Sequence, residues 1–419
     1  MNRFFKVRLI TAIMFLIILF AFSIFNICYS GKDMIQEIKN SVAEKSSLKD
    51  TISSIDNTVN DKVIYKNTFI ETYGYLQKLM GKNEFSKFSV VKDTSGKMHY
   101  TYFAKAPNPV GVIADRVRKF SEEMEKQNTK LVYLMTPDKY IKGVTKFPKG
   151  IPYSYSNETA DNFLNQLKKY NVDYIDFREN ILKSGIPKDD LFFKTDHHWK
   201  VETSFWAFGE LVEQLNKKYN MNLDENHYYR DKENYNSIVY PKSFLGSMGR
   251  KTGILYGGID DFTLIYPKFK TNYTYYTDSK SQKFELKGRF EESLILSYPF
   301  NADLDLMDGQ SDKYFTYLLG NRPLVKIKNI ENPDGLKVLF VKDSLIVPTA
   351  AFFSSVCSSI DMIDPRYYDG DILEYAKSHD YDFVFISVYP QNLTKEFFRF
   401  VSKFLKKFSY KIKNKWLTS

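Results

Sequence analysis

The sequence predicts an α/β protein: a parallel sheet covered on both faces by helices, with a β-rich insertion, preceded by one transmembrane helix. Three observations carry this. Short apolar runs alternate with amphipathic runs of helical length from about residue 110 onward. Residues 255–330 break that rhythm with strand-like alternation. An apolar run near the N-terminus has roughly the 20 residues that span a bilayer as a helix.

That run covers residues 9–28 and is interrupted only by Thr11, Ser23 and Asn26. Arg3, Lys6 and Arg8 precede it, which places the N-terminus in the cytoplasm and the bulk of the chain outside. A cleaved signal peptide is the other reading, with Cys28 and Ser30 small enough for the cleavage positions. Ile27 before Cys28 is too large for a lipoprotein signal. The expected organisation is a cytoplasmic tip and anchor over 1–30, a stalk and linker over 31–75, and an extracytoplasmic α/β domain over 76–419. Met34, Ile35, Ile38 and Val42 give the stalk its helical spacing.

In the main domain, helices are expected at 115–127, 159–170, 201–219, 348–358 and 394–408. Strands are expected at 131–135, 173–177, 336–341 and 382–388. Strands separated by helices imply parallel pairing with both sheet faces covered. Within 255–330, segments 271–276 and 283–286 alternate like antiparallel strands.

Composition narrows the function classes. The 419 residues are 43% hydrophobic and 26% charged, which excludes a disordered chain and a multi-spanning membrane protein. Cys28 lies in the apolar run, so Cys357 is alone in the rest of the chain, and neither an intrachain disulfide nor a Cys-rich zinc site can form there. Neither common Gly-rich phosphate loop occurs, nor HExxH. The aromatic content of 16% suits a sugar site or a core. Residues 395–415 carry eight Lys/Arg against one acid, with Phe397, Phe398, Val401, Phe404, Leu405 and Phe408 on an apolar stripe. A final helix covering the sheet is expected, with contact to anionic lipid or polymer as the functional alternative. Despite the net charge of +10, nucleic acid is not expected as a partner, because an exported domain would rarely meet it.

Chemistry concentrates at Phe193-Lys-Thr-Asp-His-His-Trp199, just before the helix expected from Val201. An Asp and a His two residues apart can place a carboxylate on one ring nitrogen and leave the other as a general base. Alternatively Thr195 or Asp196 caps the helix, or one His packs in the core. A metal site at Asp196, His197 and His198 is a third possibility. A second candidate is Ser344, in Val-Lys-Asp-Ser after an apolar strand and before a helix, where open α/β sheets place their sites. Asp-Ser is also a common capping pair. The third is the loop Phe244-Leu-Gly-Ser-Met-Gly-Arg-Lys-Thr-Gly253, whose glycines let backbone amides approach an anion.

Thr195-Asp196-His197-His198-Trp199 resembles the signature of the DHHW family, which groups with the alginate O-acetylation proteins among SGNH-hydrolase-like folds. The resemblance runs from about residue 60 to 400 and takes in the 135–139 segment, the 246–250 loop, Lys342-Asp-Ser344 and residues 363–368. It implies an SGNH-like three-layer fold, an Asp196–His198 pair, and Ser344 as nucleophile. The chain order is permuted relative to common SGNH hydrolases, where the serine comes first. Lys342 stands where that block has Gly, and Leu345 where an aromatic is often found. A second oxyanion donor is expected from Gly249 or Arg250. The implied activity is O-acetylation of a cell-surface polysaccharide through an acetyl-serine, by a single-pass cell-membrane protein. A membrane-bound O-acyltransferase would supply the acetyl group, and neither metal nor cofactor is called for. The alternatives are a carbohydrate acetylesterase and a non-catalytic polysaccharide-binding assembly subunit.

Overall fold

The computed structural model describes residues 3–43, 48–278 and 283–400. Two compact units follow one another, Met1–Leu76 and Gln77–Ser419.

The first unit is helical: α1 (Arg3–Ala43), α2 (Leu48–Asp61) and most of α3 (Lys66–Leu79). The apolar run and the first part of the expected stalk form one continuous helix of 41 residues. Its polar interruptions bond to the preceding turn: Thr11 Oγ1 to Val7 O at 2.9 Å, Ser23 Oγ to Leu19 O at 2.8 Å, Asn26 Nδ2 to Phe22 O at 2.9 Å. Each of these side chains thus finds a carbonyl within its own helix. The helix is long and apolar enough to cross a membrane, a property that signal sequences share.

In the second unit, β1 (Glu84–Phe85), β2 (Val90–Lys92) and β3 (Met98–Tyr100) make a small antiparallel sheet. Then come α4 (Gly111–Glu125), β4 (Lys130–Met135), α5 (Ser156–Lys169), β5 (Asp173–Asp176) and α6 (Val201–Tyr219). A two-stranded antiparallel ribbon, β6 (Tyr235–Phe244) with β7 (Asp260–Pro267), flanks α7 (Ser247–Thr252) and α8 (Ile254–Gly257). β8 (Tyr273–Asp278), β9 (Lys283–Gly288), α9 (Phe290–Ser293) and β10 (Leu324–Asn329) follow. The chain then runs through β11 (Leu336–Lys342), α10 (Val347–Phe353), β12 (Cys357–Ile363), α11 (Ile372–Lys377) and β13 (Phe383–Ser387).

The main sheet has eight strands in the order β5-β4-β13-β11-β12-β10-β8-β9. The first five are parallel, and β12, β10, β8 and β9 pair antiparallel. This is the α/β architecture expected, but the segment read as an insertion extends the sheet itself through β8, β9 and β10. One strand was illegible: the sequence reading carried a helix to 358, whereas β12 begins at Cys357. Ser359 and Asp361 interrupt its apolar run (Cys-Ser-Ser-Ile-Asp-Met-Ile), which hides the strand. Of the helix expected over 394–408, the described residues to Phe400 form turns, and 401–419 lie outside the described residues.

Two cores sandwich the sheet. On one face α6 and α10 bury Phe208, Leu211, Ala350 and Phe353 against Val338, Phe340, Phe385, Ile360 and Ile327. On the other, α4, α5 and α11 bury Val117, Phe120, Phe163 and Ala376 against Leu131, Tyr133, Leu339 and Val384. Packing on both faces aims the C-terminal ends of β4, β13 and β11 at the loops described next.

Candidate active site

The loop before α6 is pinched at its base. Phe192 and Trp199 form an isolated antiparallel bridge, and Phe193 N donates to His198 O at 3.2 Å. Inside the pinch, residues 194–198 are clamped from several directions. Asp260, at the start of β7, accepts from Lys194 N (2.6 Å), Thr195 N (2.8 Å) and Thr195 Oγ1 (2.5 Å). Lys139 donates its ammonium to the carbonyls of Lys194 (3.0 Å) and Asp196 (2.8 Å). Burial pushes that ammonium down to about 7, against the pull of Asp260 and Asp196. The start of α7 closes on the same loop: Gly246 N donates to Thr195 Oγ1 (2.8 Å) and Ser247 N to Asp196 Oδ2 (2.5 Å).

So held, Asp196 Oδ1 lies 2.5 Å from His198 Nδ1, and His198 Nε2 lies 2.7 Å from Ser344 Oγ. Both contacts are satisfied by the tautomer with hydrogen on Nδ1, which donates to Asp196 while Nε2 accepts from the serine. Asp196, His198 and Ser344 are all buried, Ser344 keeping 8% exposure, so the line of contacts is enclosed. Burial pushes the His198 imidazole down to about 4, with His197 acting the same way and Asp196 opposing. Burial acts to raise Asp196, but the rings of His198 and His197 outweigh it and hold the carboxyl well below its usual range. The pair therefore stands as carboxylate and neutral imidazole, the state a general base requires. Tyr314 lies flat on the His198 ring, centroids 3.7 Å apart and planes at 17°.

Ser344 is fixed from the sheet side. Asp343, just past β11, accepts from Leu345 N (3.0 Å), Tyr389 N (2.9 Å) and Asn392 Nδ2 (3.1 Å), tying the turn to the loop after β13. The Leu345 carbonyl accepts from both Trp199 Nε1 (2.9 Å) and Tyr314 Oη (2.8 Å). Trp199 thus joins the histidine loop to the serine turn. Lys342, in place of the usual glycine, turns away from the serine and bonds Asn321 Oδ1 (2.7 Å) and Asp364 Oδ2 (3.3 Å). Leu345, in place of an aromatic, is buried in the core.

Asp196, His198 and Ser344 thus come together, 146 residues apart in the case of His198 and Ser344. Gly249 and Arg250 have other work. Gly249 N donates to Thr195 O and Arg250 N to Gly246 O, both at 2.9 Å, so neither amide is left for a substrate oxygen. The Arg250 guanidinium is spent on Asp312 (2.8 Å) and Leu245 O (2.6 Å). The two glycines matter by close approach: a Cβ on Gly246 would stand 2.3 Å from Asp196 Cβ, and one on Gly249 2.9 Å from Thr195 Cβ.

His197 is the more exposed histidine, its Nδ1 3.3 Å from Asp196 Oδ1. Asp196, His197 and His198 each bring a ligand atom within 4.8 Å of the others, as a metal site would need. Both ring nitrogens of His198 and both oxygens of Asp196 are already engaged, so a metal ion there would have to displace those bonds.

Sequence reasoning missed Asp260 and Tyr314, which have no local motif and reach the loop only through the β6–β7 ribbon and the connection between β9 and β10. Trp199 and Lys139 were legible only as parts of matched segments.

The fold is that of SGNH-hydrolase-like proteins, and one family model, described as the SGNH hydrolase-like domain of acetyltransferase AlgX, matches residues 103–237. That segment holds Asp196 and His198 and ends before Ser344. The particular resemblance read from the Thr195–Trp199 run is borne out: a DHHW family protein from Eubacterium siraeum superposes with TM-score 0.52 at 18% identity, over 73% of this chain and 94% of that one. PatB1 of Bacillus cereus superposes with TM-score 0.57 at 19% identity, over 74% of this chain and 99% of that one. No curated protein matches the chain.

Proposed function

We propose that this protein is a membrane-anchored extracytoplasmic O-acetyltransferase, or the essential partner of one, that acetylates a cell-surface polysaccharide through Ser344, His198 and Asp196. The observation that carries the reading is the continuous line Asp196 Oδ1–His198–Ser344 Oγ, with contacts of 2.5 and 2.7 Å. The match to an acetyltransferase domain over the histidine-bearing segment supports it.

The chemistry is acyl transfer in two steps. His198 Nε2 takes the Ser344 proton as Oγ attacks the acetyl carbonyl. The imidazolium returns that proton to the leaving group as the carbonyl re-forms, leaving acetyl-Ser344. A sugar hydroxyl then gives its proton to His198 and attacks the acetyl carbon, and Ser344 Oγ departs with the proton. Asp196 holds the tautomer and stabilises the transient imidazolium. The Ser344 N–H, which makes no hydrogen bond among the described residues, can face the developing oxyanion. Water in place of the sugar would make the same site an esterase. A membrane-bound O-acyltransferase is the proposed acetyl donor, and α1 the proposed single-pass anchor.

Intact-mass measurement of the protein after an activated acetyl ester is added is the direct test. A gain of about 42 Da localised to Ser344, absent in Ser344→Ala, is expected of an acetyl-serine. An unmodified Ser344 despite ester turnover would reject the mechanism. Externally added protease should digest the large unit on intact spheroplasts, and protection until permeabilisation would reject the topology.

A further inference from the structure

One face of the main sheet is covered across its width, the other only halfway. Cover from α4, α5 and α11 reaches β5, β4, β13 and β11 and ends on Ile363 of β12 and Leu324 of β10. Past those two residues that face carries polar side chains. In β10, Val325 and Ile327 point to the core while Lys326 and Lys328 point away. In β8, Tyr273 and Tyr275 are buried while Thr274 and Tyr276 are not.

The strand registers set these side chains in rows. Lys287 stands opposite Thr274, Thr274 opposite Lys328, Lys328 opposite Ser359, and Ser359 opposite Lys337. Five adjacent strands therefore present Lys-Thr-Lys-Ser-Lys in a line. At about 4.8 Å between strands, the cations repeat about every 10 Å with a hydroxyl between them. The next row runs Glu285, Tyr276, Lys326, Asp361. Its carboxylates are already engaged, Asp361 by the hydroxyls of Tyr375 (2.5 Å) and Tyr381 (2.7 Å), and Glu285 by Lys287 (2.5 Å). Lys326 and Lys328 have no carboxylate partner among the described residues, and Lys337 reaches only the exposed Asp380, at 3.6 Å. A cavity of about 410 Å³ lies over Thr274, Tyr276, Lys326, Lys328 and Lys337.

We propose that this open sheet face is a docking platform for a strand of anionic polysaccharide bearing carboxylate or phosphate groups. Its cations match a polyanion, its hydroxyls and the Tyr276 ring suit a polyol, and its linear spacing suits a polymer. A membrane surface fits poorly, since the rows offer no aliphatic side chain to insert. A second copy would set like charges against each other. Residues 401–419 carry six lysines and no acid, so by charge they do not complement the face either.

The platform is separate from the reacting serine. Lys337 lies near the start of β11 and Ser344 two residues beyond its end. At about 3.3 Å per residue, Lys337 and Lys342 alone are about 17 Å apart. The inference does not rest on the acyl-transfer reading, because binding here needs no turnover.

The test measures binding of labelled polygalacturonate, polyphosphate and neutral dextran to the full chain in detergent, with anionic phospholipid vesicles as a fourth arm. Binding of an acidic polymer that weakens with salt, with dextran inert, is expected, and the preferred polymer identifies the anionic group. Lys326→Glu, Lys328→Glu and Lys337→Glu together should weaken that binding on the order of tenfold or more, since each reversal converts an attraction into a repulsion. Turnover of a small acetyl ester should not change, which also reports that the variant is folded. Unchanged polymer binding in the triple variant would overturn the proposal, and so would binding to vesicles alone. Polymer binding without ester turnover in the wild type would leave this proposal standing and remove the acyl-transfer reading.

Discussion

In β13 every residue from Phe383 to Ser387 is buried, while in β9 exposed and half-buried residues alternate from Lys283 to Gly288. The two strands belong to one sheet and obey different constraints. Parallel strands are joined by crossover helices that cover both faces, so β4, β11 and β13 are nearly continuous apolar runs. Antiparallel strands need only one covered face, so β8, β9 and β10 alternate. The candidate site gathers where the parallel strands end, because the turn after β11 holds Ser344 at the edge of the sheet beside the histidine loop. The antiparallel half presents a patterned surface instead.

The largest expected effect tests the reactive end. Ser344→Ala should lower ester turnover by on the order of 10³ or more while the thermal midpoint stays near that of the wild type. Turnover close to wild type would remove Ser344 from the mechanism. Next, the two halves should differ in stability. Phe385→Ala empties a fully buried position packed against Phe340, Phe353 and Phe383, and should cost about 3–5 kcal/mol in urea unfolding. Tyr276→Ala on the open face should cost about 0.5 kcal/mol or less. Equal losses would mean that the antiparallel half is covered in solution.

A smaller effect is expected at the glycine contact. A methyl on Gly246 must push against Asp196 Cβ at 2.3 Å and Thr195 O at 2.7 Å. Displacing the carboxylate by a fraction of an ångström should lower kcat roughly 10- to 100-fold with KM little changed. A Gly246→Ala protein with unchanged kcat would show that the loop tolerates movement. His197→Ala should lower turnover only a few-fold, because neither contact along the Asp196–His198–Ser344 line uses it. Inactivation by EDTA with recovery on added zinc would reassign the histidines to a metal site.

Legibility in the sequence follows the same division. Runs such as Leu131–Met135 and the long helix Val201–Tyr219 were readable because burial on both faces, or along a whole stripe, writes hydrophobicity continuously into the chain. β12 was lost because Ser358, Ser359 and Asp361 break its apolar run, Asp361 being buried under the hydroxyls of Tyr375 and Tyr381. The β6–β7 ribbon was lost because most of β6 is exposed, so its alternation is faint. At the site, the Asp196–His198 spacing was readable as local chemistry, and Ser344 by its place between strand and helix. The supports were not. Asp260 is 65 residues from Thr195, and its role exists only once β7 is folded beside the loop. The reading of Gly249 and Arg250 as donors failed for a related reason. Glycine-rich sequence shows that a backbone can come close, but not to what, and here it is the loop bearing Asp196 and His198 that α7 approaches.

The smallest expected change is in the pH dependence, and it tests how deeply the histidine is enclosed. An exposed imidazole has a pKa near 6.5. Burial, aided by His197 and opposed by Asp196, moves His198 to about 4. The protonated ring cannot accept the Ser344 proton, so activity should fall on the acid side as pH drops through the folded value. With that value near 4, roughly nine-tenths of the ring is still neutral at pH 5, whereas an unshifted ring would be only about 3% neutral there. Ester turnover should therefore be almost flat from pH 7 to pH 5, with its acid midpoint near 4. The shift also lowers stability in acid: the unfolded chain takes up the proton below about 6.5, and the native ring resists it until about 4. Turnover must therefore be read at temperatures where the protein stays folded at pH 4, with refolding controls. An acid midpoint near 6.5 would show that the imidazole is hydrated in solution, and that the enclosure formed by Tyr314, His197 and the Leu345 turn is open during catalysis.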